Sequence, residues 1–142
     1  MSISSAFPHA ILAMIYVTDK VRQGKFDYVP IQQVSLELNI PPSTMGLIIR
    51  SLNRAGLVET REGAKGGVRH AHAPETMTVY DIYKAIEQER PVFQTLLTPR
   101  VTGSKPTNAQ KAIVAVLADA EQALLQRLQQ TTLADLLQEL AD

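Results

Sequence analysis

Ser43, Thr44, Leu47, Arg50, Asn53 and Arg54 fall in one short segment, at intervals that bring them to the outward side of a helix. Hydroxyls near a helix N-terminus donate to phosphate oxygens or base edges. Arginines farther along the same helix grip phosphates or a guanine. Together these are the donors of a helix that reads a DNA groove.

Other chemistry is poorly supplied. His70 and His72 alternate as on a strand, so both side chains would point the same way, as a two-ligand metal edge requires. Glu62 and Glu75 are the nearest candidates for a third ligand, and the pair reads as exposed strand surface. Tyr80 and Tyr83 read as core or dimer residues. The chain has no cysteine, no G-x-S-x-G elbow, no P-loop and no G-x-G-x-x-G. Its acidic residues lie mainly on faces expected to be solvated, so no enzyme is expected.

The elements that must position the donors follow from periodicity. Ile31, Val34 and Leu38 form one apolar face, with Gln32, Gln33, Ser35 and Glu37 opposite. Asn39 and Ile40 break that pattern, and Pro41 and Pro42 suit a turn and a helix start. Met45, Ile48, Ile49 and Leu52 make the inward stripe of the next helix, and Gly56 lies where a helix ends. Leu57, Val58 and Thr60 favour extended structure. The run from Gly63 to Gly67 supplies a reversal, and Val68 to Ala73 can pair back as a second strand. Two helices, a turn and a hairpin with a basic tip are the order of a winged helix-turn-helix, with Arg61 and Lys65 serving the wing.

These residues resemble the small bacterial winged-helix repressors and sensors of the IscR, NsrR and CymR type. The resemblance covers residues 3 to 87 best. It rests on AGLVETREGAKGG at Ala55 to Gly67, on the following TMTVYDIYKAIE, and on His9, Ala10, Ile11 and Leu12 in an apolar opening helix. It implies a DNA-binding homodimer. Three departures stand out. Relatives carry an arginine directly before the first wing glycine, where this chain has Glu62, with Arg61 one place back and Lys65 as a substitute. Some relatives carry a base-reading carboxylate where this chain has Gly46, so the target sequence is expected to differ. Metal-sensing members carry three cysteines in the loop before the long C-terminal helix, and PVFQTLLTPRVTGSKPTN has none. An iron–sulfur cluster needs thiolates in nearly every case. The resemblance therefore points to the cysteine-free branch, without a cofactor, in which the signal is a small molecule, another protein, or is not known.

The rest of the chain fits a dimer. Ser4 or Ser5 can cap an opening helix that buries Phe7, Ile11, Met14 and Ile15 and ends near Gly24. Thr78 and Asp81 form a capping-box variant before the stripe Val79, Ile82, Tyr83 and Ile86, stopped by Arg90 and Pro91. Thr107 and Gln110 read as a second box. Ile113, Leu117, Ala120, Leu124 and Leu128 then mark a helix of about 30 Å, longer than a wing module can cover, whose stripe needs a second copy. Thr132 can cap a short final helix bearing Leu133, Leu136, Leu137 and Leu140, expected to fold back onto the dimer.

Length and charge agree. A chain of 142 residues with 45% apolar content builds one small core. No run approaches a membrane span and no signal peptide is evident, so a cytoplasmic protein is expected. Net charge is zero, yet residues 1–73 hold eight Lys/Arg against five Asp/Glu, and residues 74–142 six against nine. Attraction to phosphates is local, so the basic front half can bind.

The expected fold is mainly α with a small β-wing: a winged helix-turn-helix over 1–90, a loop over 91–107 that is the sensor region in relatives, and dimerisation helices over 108–142. The expected function is that of a homodimeric repressor of double-stranded DNA at a palindromic operator. The alternatives are a winged helix that binds protein and not DNA, and a regulator controlled by a partner protein.

Overall fold

A computed structural model of the chain describes residues 4–140. In order, these form α1 (Ala6–Arg22), α2 (Ile31–Leu38), α3 (Pro42–Arg54), β1 (Val58–Arg61), β2 (Gly67–His70), a single 3-10 turn (Pro74–Thr76), α4 (Val79–Glu87), α5 (Ser104–Gln129) and α6 (Leu133–Gln138). The architecture is mainly helical with one small antiparallel sheet, a winged helix-turn-helix followed by a long C-terminal helix.

The turn between α2 and α3 follows from its residues. Asn39 takes a left-handed conformation at φ +55°, which asparagine tolerates, and ends α2. Pro42 then opens α3 at a position where no N–H is needed. Ser35, expected on the wet side, is buried, because its hydroxyl donates to the Ile40 carbonyl and fastens the turn. The expected stripe of α3 is fully inside: Met45, Ile48, Ile49 and Leu52 all join the core. Each such burial is worth about 1.5–3 kcal/mol, so α3 has one rotation about its axis that the fold will accept.

In α1 the deepest face is Ala10, Ala13, Met14 and Val17, while Phe7, Ile11 and Ile15 only pack partly against it. The expected stripe was therefore off by part of a turn for every residue except Met14. Ser5 makes no side-chain cap, and Ser4 is engaged elsewhere. The hairpin pairs Val58 with His70, Glu59 with Arg69, Thr60 with Val68 and Arg61 with Gly67. Strand β2 ends at His70 and not at Ala73: one further backbone bond, from the Ala71 N–H to Leu57, follows in register before the chain bends away. A bridge between Val29 and Val68 adds the segment before α2 to the edge of the wing.

Thr78 and Asp81 form the expected capping box, and Val79, Ile82, Tyr83 and Ile86 are buried. Helix α4 stops at Glu87, three residues before Arg90, with Gln88 at φ +56°. Helix α5 begins at Ser104 after Gly103. Thr107 therefore lies inside its first turn, where its hydroxyl donates back to Gly103, and it forms no capping box. Thr132 and Asp135 do form one. Helix α6 docks on its own chain: the Val79 N–H donates to Thr131, the Leu133 N–H donates to Met77, and Leu133 is fully buried. Leu133 is thus used in folding the winged module and Leu137 packs partly against its core, while Leu140 is exposed.

Candidate nucleic-acid interface

The stripe that buries α3 dictates what α3 shows. With Met45, Ile48, Ile49 and Leu52 inside, Ser43, Leu47, Arg50 and Arg54 recur along the opposite side and are exposed, and Leu47 stands 59% open to solvent. Thr44 is half-buried on one flank, and Asn53 is exposed on the other. Gly46 sits between them with nothing near the place where a Cβ would project. The side chains on this face make no ion pair among the described residues.

A cleft of about 490 Å³ runs between α3 and the wing. Arg50, Asn53 and Gly46 line one wall, and Thr60, Arg61, Glu62 and Gly63 line the other. The fold therefore brings Arg50, Asn53 and Arg61 to one groove. It does not bring Lys65 or Arg54 there. Lys65 lines a separate recess on the other side of the wing, and Arg54 lines one with Lys84, Gln88 and Glu89 at and beyond the end of α4.

Gly67 lets the wing close on the module, and Gly66 lets the wing turn tightly on itself. A Cβ on Gly67, whose φ is +150°, would fall 2.1 Å from the Val29 carbonyl oxygen. A Cβ on Gly66 would fall 2.1 Å from that of Arg61. Only glycine permits such approaches.

The outer face of the hairpin carries residues that periodicity did not single out. Arg61 and Arg69 both lie over the Tyr28 ring, 5.9 and 5.7 Å from its centroid. The recess of about 340 Å³ beside them is lined by Lys25, Asp27, Tyr28, Arg61 and Lys65. The strand register does hold a signal for this: Glu59, Arg61 and Arg69 share one face once Arg61 is paired with Gly67.

The histidines do not form a metal edge. His72 lies beyond the end of β2, exposed, whereas His70 is half-buried with an unpartnered Nδ1. Burial, then the charges of Arg69 and Arg22, hold His70 below its ordinary pKa. No three His, Cys, Asp or Glu converge on a metal-sized site among the described residues.

Helix α5 has no buried residue. Ile113 is 44% exposed, Ala120 is exposed, and Leu117, Leu124 and Leu128 are half-buried. No helix among the described residues is long and apolar enough to cross a membrane.

The sequence matches the family described as "Rrf2: Iron-dependent Transcriptional regulator" over residues 3–139. It is 28% identical over 137 residues to the transcriptional regulator NsrR of Halalkalibacterium halodurans, covering 96% of this chain and 90% of that one. It spans 40% of the length of YwgB of Bacillus subtilis, with 33% identity over 63 residues. The structure of CymR, the global cysteine regulator of B. subtilis, superposes with a TM-score of 0.69 at 22% identity, over 100% of this chain and 99% of that one, and so supports the fold. The iron of the family description does not fit the residues present here, since the chain offers no thiolate and no ligand set converges among the described residues.

Proposed function

The chain belongs to the Rrf2 family of transcriptional regulators, and on that footing we propose that it acts in the cytoplasm as a homodimeric repressor of a palindromic operator. It has no catalytic role and no iron–sulfur cluster. Helix α3 enters the major groove. Ser43 and Thr44 contact phosphate or base edges near its N-terminus, Leu47 packs on a thymine methyl, and Arg50, Asn53 and Arg54 bind bases or backbone. Arg61 and Lys65 contact the duplex from the wing. Glu62 in place of an arginine weakens any minor-groove reading, since a carboxylate repels the phosphates that line it.

The observation that carries this reading is the unpaired polar row on α3, opposite a completely buried stripe, beside a cleft whose other wall is Arg61. A helix fixed in rotation by its core side has its donors aimed in advance, so little is lost in ordering them on binding. Dimerisation through Ile113, Leu117, Ala120, Leu124 and Leu128 of α5 is supported by the absence of any buried residue on that helix. Two copies would set two α3 helices on successive turns of one duplex. The effector, a small molecule or a protein, acts at the 91–107 loop.

The test is to sequence the genomic fragments retained by the purified protein and to measure their affinity against salt. A shared two-fold motif and a steep fall in affinity with salt are expected. Fragments without a common motif, together with a flat salt response, would leave a winged helix that binds protein and not DNA.

A further inference from the structure

We propose that Lys25, Arg61 and Arg69, gathered around Tyr28 on the outer face of the hairpin, form a second phosphate-binding surface that holds the duplex backbone beside the stretch read by α3. This rests on the DNA-binding reading above and deepens it, because none of the sequence motifs pointed to Lys25, Tyr28 or Arg69.

Tyr28 is half-buried and precedes Val29, whose N–H and carbonyl both pair with Val68 at 2.8 and 2.9 Å. The ring is therefore fixed to the hairpin through the backbone next to it. Two guanidinium groups rest on that one ring. Such stacking places an arginine without consuming its N–H donors, which stay available to an anion.

The two like charges are not neutralised within the fold. Asp27 shares the recess and Glu59 is the cross-strand partner of Arg69, yet neither approaches a guanidinium as an ion pair among the described residues. Lys25 and Lys65, both exposed, add two further cations at the rim. An anion seated among these groups relieves their mutual repulsion. A row of phosphates suits them better than one small ion, since the cations are spread along a strand, a loop and the wing tip.

The position also fits. Pro30, Arg61, Ala64 and Gly66 line both this recess and the cleft beside α3. The wing is thus a thin partition with donors on both sides, and a duplex seated against α3 passes close to its outer face. Arg61 stands where the two surfaces join.

The experiment measures how affinity changes with salt for two duplexes of equal length, one recovered from genomic DNA by the protein itself and one scrambled. The log–log slope should be shallower by about two for K25A/R69A and by about one or more for K25E, on both duplexes alike, since each phosphate contact contributes roughly 0.9. Tyr28→Phe keeps the ring and should keep the wild-type slope, while Tyr28→Leu should flatten it. Lys25 is exposed in the loop after α1, so K25E reports even if a change at Arg69 disturbs folding. A steep wild type whose K25E and folded K25A/R69A variants match it would overturn this inference and leave the α3 reading intact. A flat wild type would overturn both.

Discussion

Glu87 and Ser4 meet across 83 residues of sequence: the Ser4 N–H and hydroxyl both donate to one oxygen of the Glu87 carboxylate, at 2.8 and 3.1 Å. Arg90 holds the other oxygen at 3.0 Å. Glu87 is only 1% exposed, so the start of the chain, the end of α4 and the beginning of the loop share one buried charge. Glu87→Ala should lower the unfolding free energy by roughly 2–3 kcal/mol, because several donors lose a charged acceptor. Arg90→Ala, at a side chain 59% exposed, should cost about 1 kcal/mol or less. Urea denaturation of the two variants separates them, and equal midpoints would discount the clasp.

Arg50→Ala should weaken binding to the selected operator by about 1–3 kcal/mol if the guanidinium makes a bidentate base contact. Its melting temperature should stay at the wild-type value, since the side chain is exposed and unpaired. Arg54→Ala should cost less, because Arg54 lies toward the α4 end and away from the cleft. Parallel titrations of both variants on operator and scrambled duplex would decide, and an undiminished Arg50→Ala would remove it from the interface.

Two glycines should respond in opposite ways. Gly67→Ala forces a methyl into the Val29 carbonyl and should detach the wing edge, seen as lost amide protection at Val29 and Val68 and a lower melting temperature. Gly46→Ala meets open space within a helix and should stabilise the fold by roughly 0.5–1 kcal/mol. A destabilised Gly46→Ala would contradict the helix geometry.

Leu117→Asp or Leu124→Asp should split the dimer proposed to form through α5, because an unpaired charge buried at such an interface costs several kcal/mol. The winged module should stay folded, since no α5 residue is buried within one chain. Sedimentation gives the mass and circular dichroism the helicity. A variant that remains dimeric would place the interface elsewhere.

Acid should weaken the fold through His70. Its folded pKa is lowered by burial and by the neighbouring Arg69 and Arg22, so the unfolded chain takes up the proton first as pH falls below about 6.5. The stabilisation is present above that value and is lost as pH drops through the folded pKa. His70→Gln should flatten part of the decline in melting temperature between about pH 7 and pH 5. An unchanged decline would assign it to other groups.

The parts of the fold legible in the sequence were those with one dominant face. Met45, Ile48, Ile49 and Leu52 repeat at helical spacing and are all inside, and the caps at Thr78 and Thr132 needed only local rules. Helix α1 is less legible, because its largest side chains are not its deepest. Phe7 and Ile15 are larger, yet Ala10 and Ala13 lie deeper, since small side chains let α1 approach the elements packed around it. The start of α5 was missed because Thr107 serves the carbonyl of Gly103 and not an N–H. Of the proposed interface, the α3 row was readable from the pattern it leaves outside. The stacking of Arg61 and Arg69 on Tyr28 was not, since it joins a loop to a hairpin far along the chain.

The junction at Thr78 and Thr132 has a mechanical consequence. These two cap residues bridge to each other, and the backbone bonds beside them fasten the short link between α5 and α6 to the start of α4. The 26-residue rod of α5, about 39 Å long at ~1.5 Å per residue, is thereby bolted at its far end to the domain that carries α3. With Glu121 accepting from the Val92 N–H farther along the rod, α5 is tied to that domain at two points, and its direction is set by the body that carries α3.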